Sequence, residues 1–145
     1  MLYNKKVSIN NMNTGINLNR LKARIRRKGV ITMSGDYYQD LDSELIKKMN
    51  ANEKSAIFGI LREDGAYTVL GSEKIYFRTI DGKISEMTIE DFEGHLAEYA
   101  QKKGKEYEFE IIPVGSQNYQ VWVLNSQWMF SFWNLLIYRD SWCNG

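Results

Sequence analysis

The chain has 145 residues, 43% of them apolar, and carries 19 basic against 18 acidic side chains. That length fits one domain with a sizeable core, and the even charge gives nucleic-acid binding no support beyond a local patch. The single cysteine, Cys143, excludes a disulfide within the chain and fits a reducing, intracellular (cytoplasmic) setting.

The first residues, MLYNKKVSINNMNTG, lack the apolar stretch of a signal peptide. Residues 1–17 read as an asparagine-rich arm in which Lys5–Ile9 is a candidate edge strand. Leu18–Lys28 follows as a helix, with Asn17 as N-cap and Gly29 as its stop. Leu18, Leu21 and Ile25 form the apolar seam of that helix. Arg20, Arg24 and Arg27 line one flank; Lys22 and Arg26 line the other, with Lys28 at the end. A connector, Val30–Gly35, leads to a second expected helix over Asp36–Asn50, with Leu41, Leu45, Ile46 and Met49 at helical spacing. Its acidic start and basic end suit the helix dipole. The polar break at 50–55 is where any subdivision of the α+β domain 18–145 would fall.

Strand texture begins at Ala56. Ala56–Arg62 and Ala66–Gly71 flank Asp64-Gly65, and Lys74–Thr79 and Lys83–Met87 flank Asp81-Gly82, which predicts an antiparallel meander of four strands. In the third of these, Ile75 and Phe77 face one side while Lys74, Tyr76 and Arg78 face the other, the pattern of a half-buried strand. Thr88 then caps a covering helix that ends at Gly104, with Ile89, Phe92, Leu96, Tyr99 and Ala100 on one face. Tyr107–Val114 alternates, with Tyr107, Phe109 and Ile111 expected inward and Glu106, Glu108 and Glu110 outward. It pairs with Tyr119–Leu124 as a C-terminal hairpin. A terminal helix follows, capped at Asn125 or Ser126 and apolar almost all round. Its polar stripe is Gln127, Ser131, Asn134 and Tyr138. The run Trp128–Ile137 is only about half as long as a bilayer span requires, so no membrane association is expected. The sheet and the covering helix can bury one or two sides of this helix. The N-terminal helices or another molecule must bury the rest.

Little in the chain points to catalysis. His95 is the only histidine and has no serine or cysteine motif to serve. Zinc needs clustered histidine and cysteine ligands, and the carboxylates of Glu106, Glu108 and Glu110 have the spacing of a solvated strand face, with Lys74 and Arg78 available to pair with them across the sheet. Neither phosphate-binding glycine motif is present. No metal, cofactor or small-molecule ligand is therefore expected.

Two features point to contact with a partner. Arg20, Lys22, Arg24, Arg26, Arg27 and Lys28 place six cations in nine residues, a patch able to meet phosphates or acidic protein. No aromatic residue is interleaved with them, so base stacking is not indicated. The plainer alternative is that they pair in cis with Asp36, Asp40 and Asp42. All four tryptophans lie near the C-terminal end, and Trp128, Trp133 and Trp142 are candidate interface residues. The segment Lys74–Leu96, strand-DG-strand-TxxDF-helix, resembles the strand-rich DNA-binding domains of bacterial response regulators. The likeness rests on generic turn and cap signals and carries no function over. The reading is a non-enzymatic protein-interaction module: a small subunit of an assembly, including a homo-oligomer, or an inhibitor or immunity-type partner. One alternative is a nucleic-acid-binding protein that uses residues 18–28. Another is an enzyme with an unrecognised carboxylate or tyrosine site.

Overall fold

The computed structural model describes residues 16–103 and 108–142. The chain is α+β, with a five-stranded antiparallel sheet and a separate two-stranded hairpin. Its elements are α1 (Leu18–Arg27), α2 (Val30–Ser34), a 3-10 turn (Gly35–Tyr37), β1 (Tyr38–Gln39), α3 (Glu44–Ala51), β2 (Ala56–Leu61), β3 (Tyr67–Gly71), β4 (Lys74–Arg78), β5 (Ile84–Thr88), α4 (Ile89–Lys103), β6 (Ile111–Val114), β7 (Tyr119–Trp122), α5 (Ser126–Ile137) and a closing 3-10 turn (Arg139–Ser141). Residues 1–15 of the expected arm 1–17, Cys143 and the stretch 104–107, with Gly104, Glu106 and Tyr107, lie outside the described residues. Among the described residues, no helix is long and apolar enough to cross a membrane.

Local signals set the starts of three helices. Asn17 Oδ1 accepts from Arg20 N at 3.1 Å, Thr88 Oγ1 from Asp91 N at 3.1 Å, and Asn125 Oδ1 from Trp128 N at 2.8 Å. Each side chain satisfies an amide that the first turn leaves without a partner. Gly29, at φ 74°, turns the chain at once from α1 into α2.

The region 30–50 departs from expectation. Val30–Ser34 is helical rather than a connector, and the helix expected over Asp36–Asn50 is confined to Glu44–Ala51. Two side chains explain the late start. Asp40 Oδ1 accepts from Asp42 N at 2.9 Å, and Ser43 Oγ accepts from Asp40 N at 2.8 Å. This local turn competes with helix for the same backbone groups. The residues ahead of it add a fifth, two-residue strand to the meander, so the sheet order is β1-β2-β3-β4-β5.

Both faces of the sheet are covered. On the main face Phe58, Ile60, Leu70, Ile75 and Phe77 join the large core with α1, α2, α4, α5 and the hairpin. A bulge between Ala56 and Phe58 breaks the alternation, so Ile57 and Phe58 both reach that core. Gly59 is required by a close approach: a Cβ there would sit 2.3 Å from the Thr68 carbonyl oxygen. On the opposite face Ala56, Val69 and Tyr76 pack under Ile46 and Met49 of α3. Tyr76 is therefore buried rather than on a solvated face. The segment 50–55 is tied to the sheet, with Asn50 Oδ1 accepting from Ala56 N at 2.7 Å and Asn50 Nδ2 donating to Ala56 O at 3.1 Å.

The N-terminal helices supply the missing cover for α5. Trp128 donates its indole N–H to Ser34 Oγ of α2 at 2.9 Å, and Ser34 Oγ donates in turn to Val30 O at 2.6 Å. Phe132 stacks on Trp128 with ring centroids 4.7 Å apart. The polar stripe expected on α5 is only partly open. Gln127 and Tyr138 are exposed, whereas Ser131 and Asn134 are half-buried, and Asn134 Oδ1 is buried with no hydrogen-bond partner. Phe130, Trp133 and Ile137 take part in the solvent boundary instead. In the hairpin the inward residues are Phe109, Ile112 and Val114, with Ile111 half-buried, so the alternation expected from Tyr107 shifts phase after Phe109.

Candidate functional site

The basic helix is where the sequence placed it. Leu21 and Ile25 are 0% and 2% exposed, and their burial anchors α1 in the main core. Arg20, Lys22, Arg26 and Arg27 are exposed, and Arg24 and Lys28 are half-buried. Among the described residues none of the six lies within ion-pair distance of a carboxylate; the ion pairs found there are formed by other residues. The pairing considered with Asp36, Asp40 and Asp42 does not form: Asp36 lies in the 3-10 turn, Asp40 and Asp42 in the turn ahead of α3, and none of the three is in an ion pair found among the described residues. Arg26 does lie near β1. Burial is the main cause that pushes the Tyr38 hydroxyl up to about 12; the Asp40 charge adds to it and the Arg26 charge opposes it.

The tryptophans divide differently from expectation. Trp128 and Trp142 are each 0% exposed, enclosed by the chain itself, so neither is an interface residue on the surface of this fold. Trp142 lies beyond α5, but the 3-10 turn at Arg139–Ser141 folds it back, and its indole N–H donates to Leu135 O at 3.1 Å. Trp133 is half-buried and donates to Glu93 Oε2 of α4 at 3.1 Å. It alone of the three keeps part of its surface open.

His95 has a structural contact. The Gly115 N–H donates to its Nε2 at 3.2 Å, joining α4 to the turn of the hairpin. A backbone amide can only donate, so Nε2 is the acceptor of this bond. The glutamates of the expected strand part company. Ser126 Oγ donates to Glu108 at 3.0 Å, and Glu110 borders a cleft. Lys74 does not reach them; it meets Glu86 at 2.5 Å, and Lys54 meets the same carboxylate at 3.0 Å. These contacts hold the Glu86 carboxyl below its ordinary value of 4.5, with the Lys74 hydrogen bond the largest cause. Among the described residues no group of three potential ligands is placed to hold a metal ion.

Sequence reasoning missed the cleft that Glu110 borders. Its volume is about 340 Å³, and it opens where the β2–β3 turn meets the junction of β7 and α5. Arg62, Glu63 and Asp64 of the turn form one wall; Tyr37, Trp122 and Leu124 form the aromatic and apolar side. The Arg62 guanidinium lies over the Trp122 ring, 5.8 Å from its centroid, and approaches Asp64 at 3.6 Å. Tyr37 meets Trp122 edge-on at 5.3 Å. Leu124 has φ 67°, and Asn125 N donates to Val123 O at 2.7 Å. That i to i+2 bond makes a γ-turn of the rare, strained hand at the rim. Thr68 Oγ1 donates to Trp122 O at 2.5 Å and pins the cleft's floor to the sheet. The Asp64-Gly65 signal located the turn, but nothing local linked it to Tyr37, Glu110 or Trp122. Any carboxylate or tyrosine chemistry drawing on these residues would have this cleft as its setting.

Compared with protein-family models, curated proteins and solved structures, the chain matches none.

Proposed function

We propose that the protein is a non-enzymatic interaction module, a small subunit or an inhibitor or immunity-type protein, that docks an acidic protein surface through α1. The observation that supports this reading is the state of the basic helix. Its inner face is locked into the core, and its six cations find no carboxylate within ion-pair distance among the described residues. Like charges at i, i+4 disfavour a helix by a few tenths of a kcal/mol per pair, so an anionic partner would relieve a standing repulsion. Arginine is well suited to this, because its guanidinium binds carboxylates in bidentate geometry and is weakly hydrated. A protein partner is favoured over nucleic acid on two grounds. The net charge is only +1, so the wider field adds little attraction for a polyanion. The helix also presents no ring on which a base would stack.

The test compares the wild-type chain with the triple variant Arg20→Glu, Arg24→Glu, Arg27→Glu. Nuclease-treated extract is passed over each immobilised protein. The expected result is one acidic protein retained in stoichiometric amount by the wild type, rebound after purification and lost with the variant. Retention that is equal for both proteins overturns the role of α1. A shift of random duplex at about 50 mM salt, steeply weakened by added salt and absent in the variant, replaces this reading with the nucleic-acid one.

A further inference from the structure

We propose that β5, the open edge of the five-stranded sheet, is a docking site for an extended acidic segment of a partner protein, which adds to it as a further strand. This inference is independent of the reading of α1 and rests on different residues.

The two edges of the sheet are finished differently. β1 is two residues long, and the Gln39 side chain folds back over it, donating from Nε2 to Tyr38 O at 3.1 Å and to Tyr37 O at 3.3 Å. A short edge with its carbonyls occupied offers little to an added strand. β5 has five residues and pairs with β4 alone. Thr79 N donates to Lys83 O at 2.9 Å and Ile89 N to Glu73 O at 3.2 Å, which fixes the parity of this ladder. Odd-numbered residues of β5 turn their backbone groups toward β4, so Ile84 and Glu86 turn theirs outward. Among the described residues, no hydrogen bond joins those outward groups to another element. Ile84 is also 66% exposed, the most exposed large apolar residue of the described fold. An unpaired backbone array beside an open apolar side chain is the surface that strand addition uses.

The charge beside this edge selects the segment. Lys54 and Lys74 share the one carboxylate of Glu86, and Lys83 is matched by Asp81. Arg78, directly across from Ile84, forms no ion pair among the described residues. Its half-buried guanidinium lies between the two Asp-Gly turns: a Cβ on Gly65 would sit 3.6 Å from Arg78 Cζ, and one on Gly82 would sit 3.9 Å from Nη2. A guanidinium held in this way is set to receive a carboxylate. A second copy of the chain fits less well, because the only carboxylate on its own β5 is Glu86, which two lysines already share.

The experiment follows the backbone amide resonances of the full chain by NMR during titration with the blocked peptide acetyl-Val-Thr-Glu-Thr-Val-amide, and with the same peptide carrying lysine in place of glutamate. The glutamate peptide is expected to shift the Ile84 and Glu86 amides saturably and to slow their hydrogen exchange, while the amides of α1 stay in place. The lysine peptide should bind at least about tenfold more weakly, and Arg78→Gln should weaken the glutamate peptide by about tenfold. Ile84→Pro removes an outward N–H and leaves the β4 ladder intact, and should abolish the shift of Glu86. Should that variant fail to fold, Arg78→Gln carries the test. The triple variant of α1 should bind the peptide as the wild type does, which separates this site from the basic helix. The proposal is overturned by the absence of a shift at about 5 mM peptide, by equal binding of the two peptides, or by an affinity unchanged in Arg78→Gln or in folded Ile84→Pro. Shifts of Ile84 and Glu86 on raising the concentration of the chain alone overturn it in favour of self-association.

Discussion

The two faces of the five-stranded sheet do different work. The main face meets aromatic and aliphatic side chains of α1, α2, α4, α5 and the hairpin, including Phe92, Trp128 and Phe132, all 0% exposed. The opposite face holds a small cluster of Ala56, Val69 and Tyr76 under Ile46 and Met49. Its rim is closed by charge rather than by more apolar surface: Lys54 lies 5.3 Å over the Tyr76 ring and shares Glu86 with Lys74. Burial on the first face is deep enough to carry the fold's stability. The second face is a cover, thin enough that long lysine stems complete it.

The difference can be tested by breaking each face in turn. Phe132→Ala removes a ring stacked on Trp128 and edge-on to Phe58 and Phe92, and should lower the unfolding free energy by about 3–5 kcal/mol in urea titration. Ile46→Ala is also fully buried but borders a rim that can relax, so its cost should fall near the lower end of the range, about 2 kcal/mol. Equal costs would mean that the two faces share the load. Ser34→Ala sharpens the point within the main face. It strips the Trp128 indole N–H of its acceptor in a dry site, and should cost about 1–3 kcal/mol with the secondary structure intact by circular dichroism.

The smallest effect belongs to the charged rim and appears as pH dependence. The folded-state pKa of Glu86 is lowered by its lysines. Its contribution is therefore present above the ordinary value of 4.5 and is lost as pH falls through the depressed one. Glu86→Gln should flatten the acid limb of the stability curve below that value and change little at neutral pH, since an exposed pair is worth little there. A full acid limb retained in the variant would remove the rim from the account.

The parts of this fold that were legible in the sequence are those decided within a few residues. Asn17, Thr88 and Asn125 cap their helices by bonds to the amide three residues on, and both Asp-Gly pairs turn the meander with glycine at positive φ. The region 30–50 was not legible, because helical spacing continues through Leu41 and Leu45 while the Asp40 and Ser43 side chains close a turn across it. Trp142, a candidate interface residue by sequence, is sent inward by the closing 3-10 turn, which no local signal marks. The basic helix was visible as a motif. The cleft was not, because Tyr37, Arg62, Glu110 and Trp122 come from four separate elements and meet only after folding.

One short bond has a consequence for timing. Asn17 donates its backbone N–H to the Trp142 carbonyl at 2.7 Å, so the first capping residue and the last tryptophan of the described fold are held together. Closing so long a loop carries an entropic cost that grows with chain length, and contacts of this separation slow folding. During synthesis α1 is made before the closing turn that carries Trp142, so the bond between Asn17 and Trp142 forms only after nearly all of the described fold has been made. The cation-bearing helix is therefore tethered at its N-terminal cap by the last element of the described fold to be made.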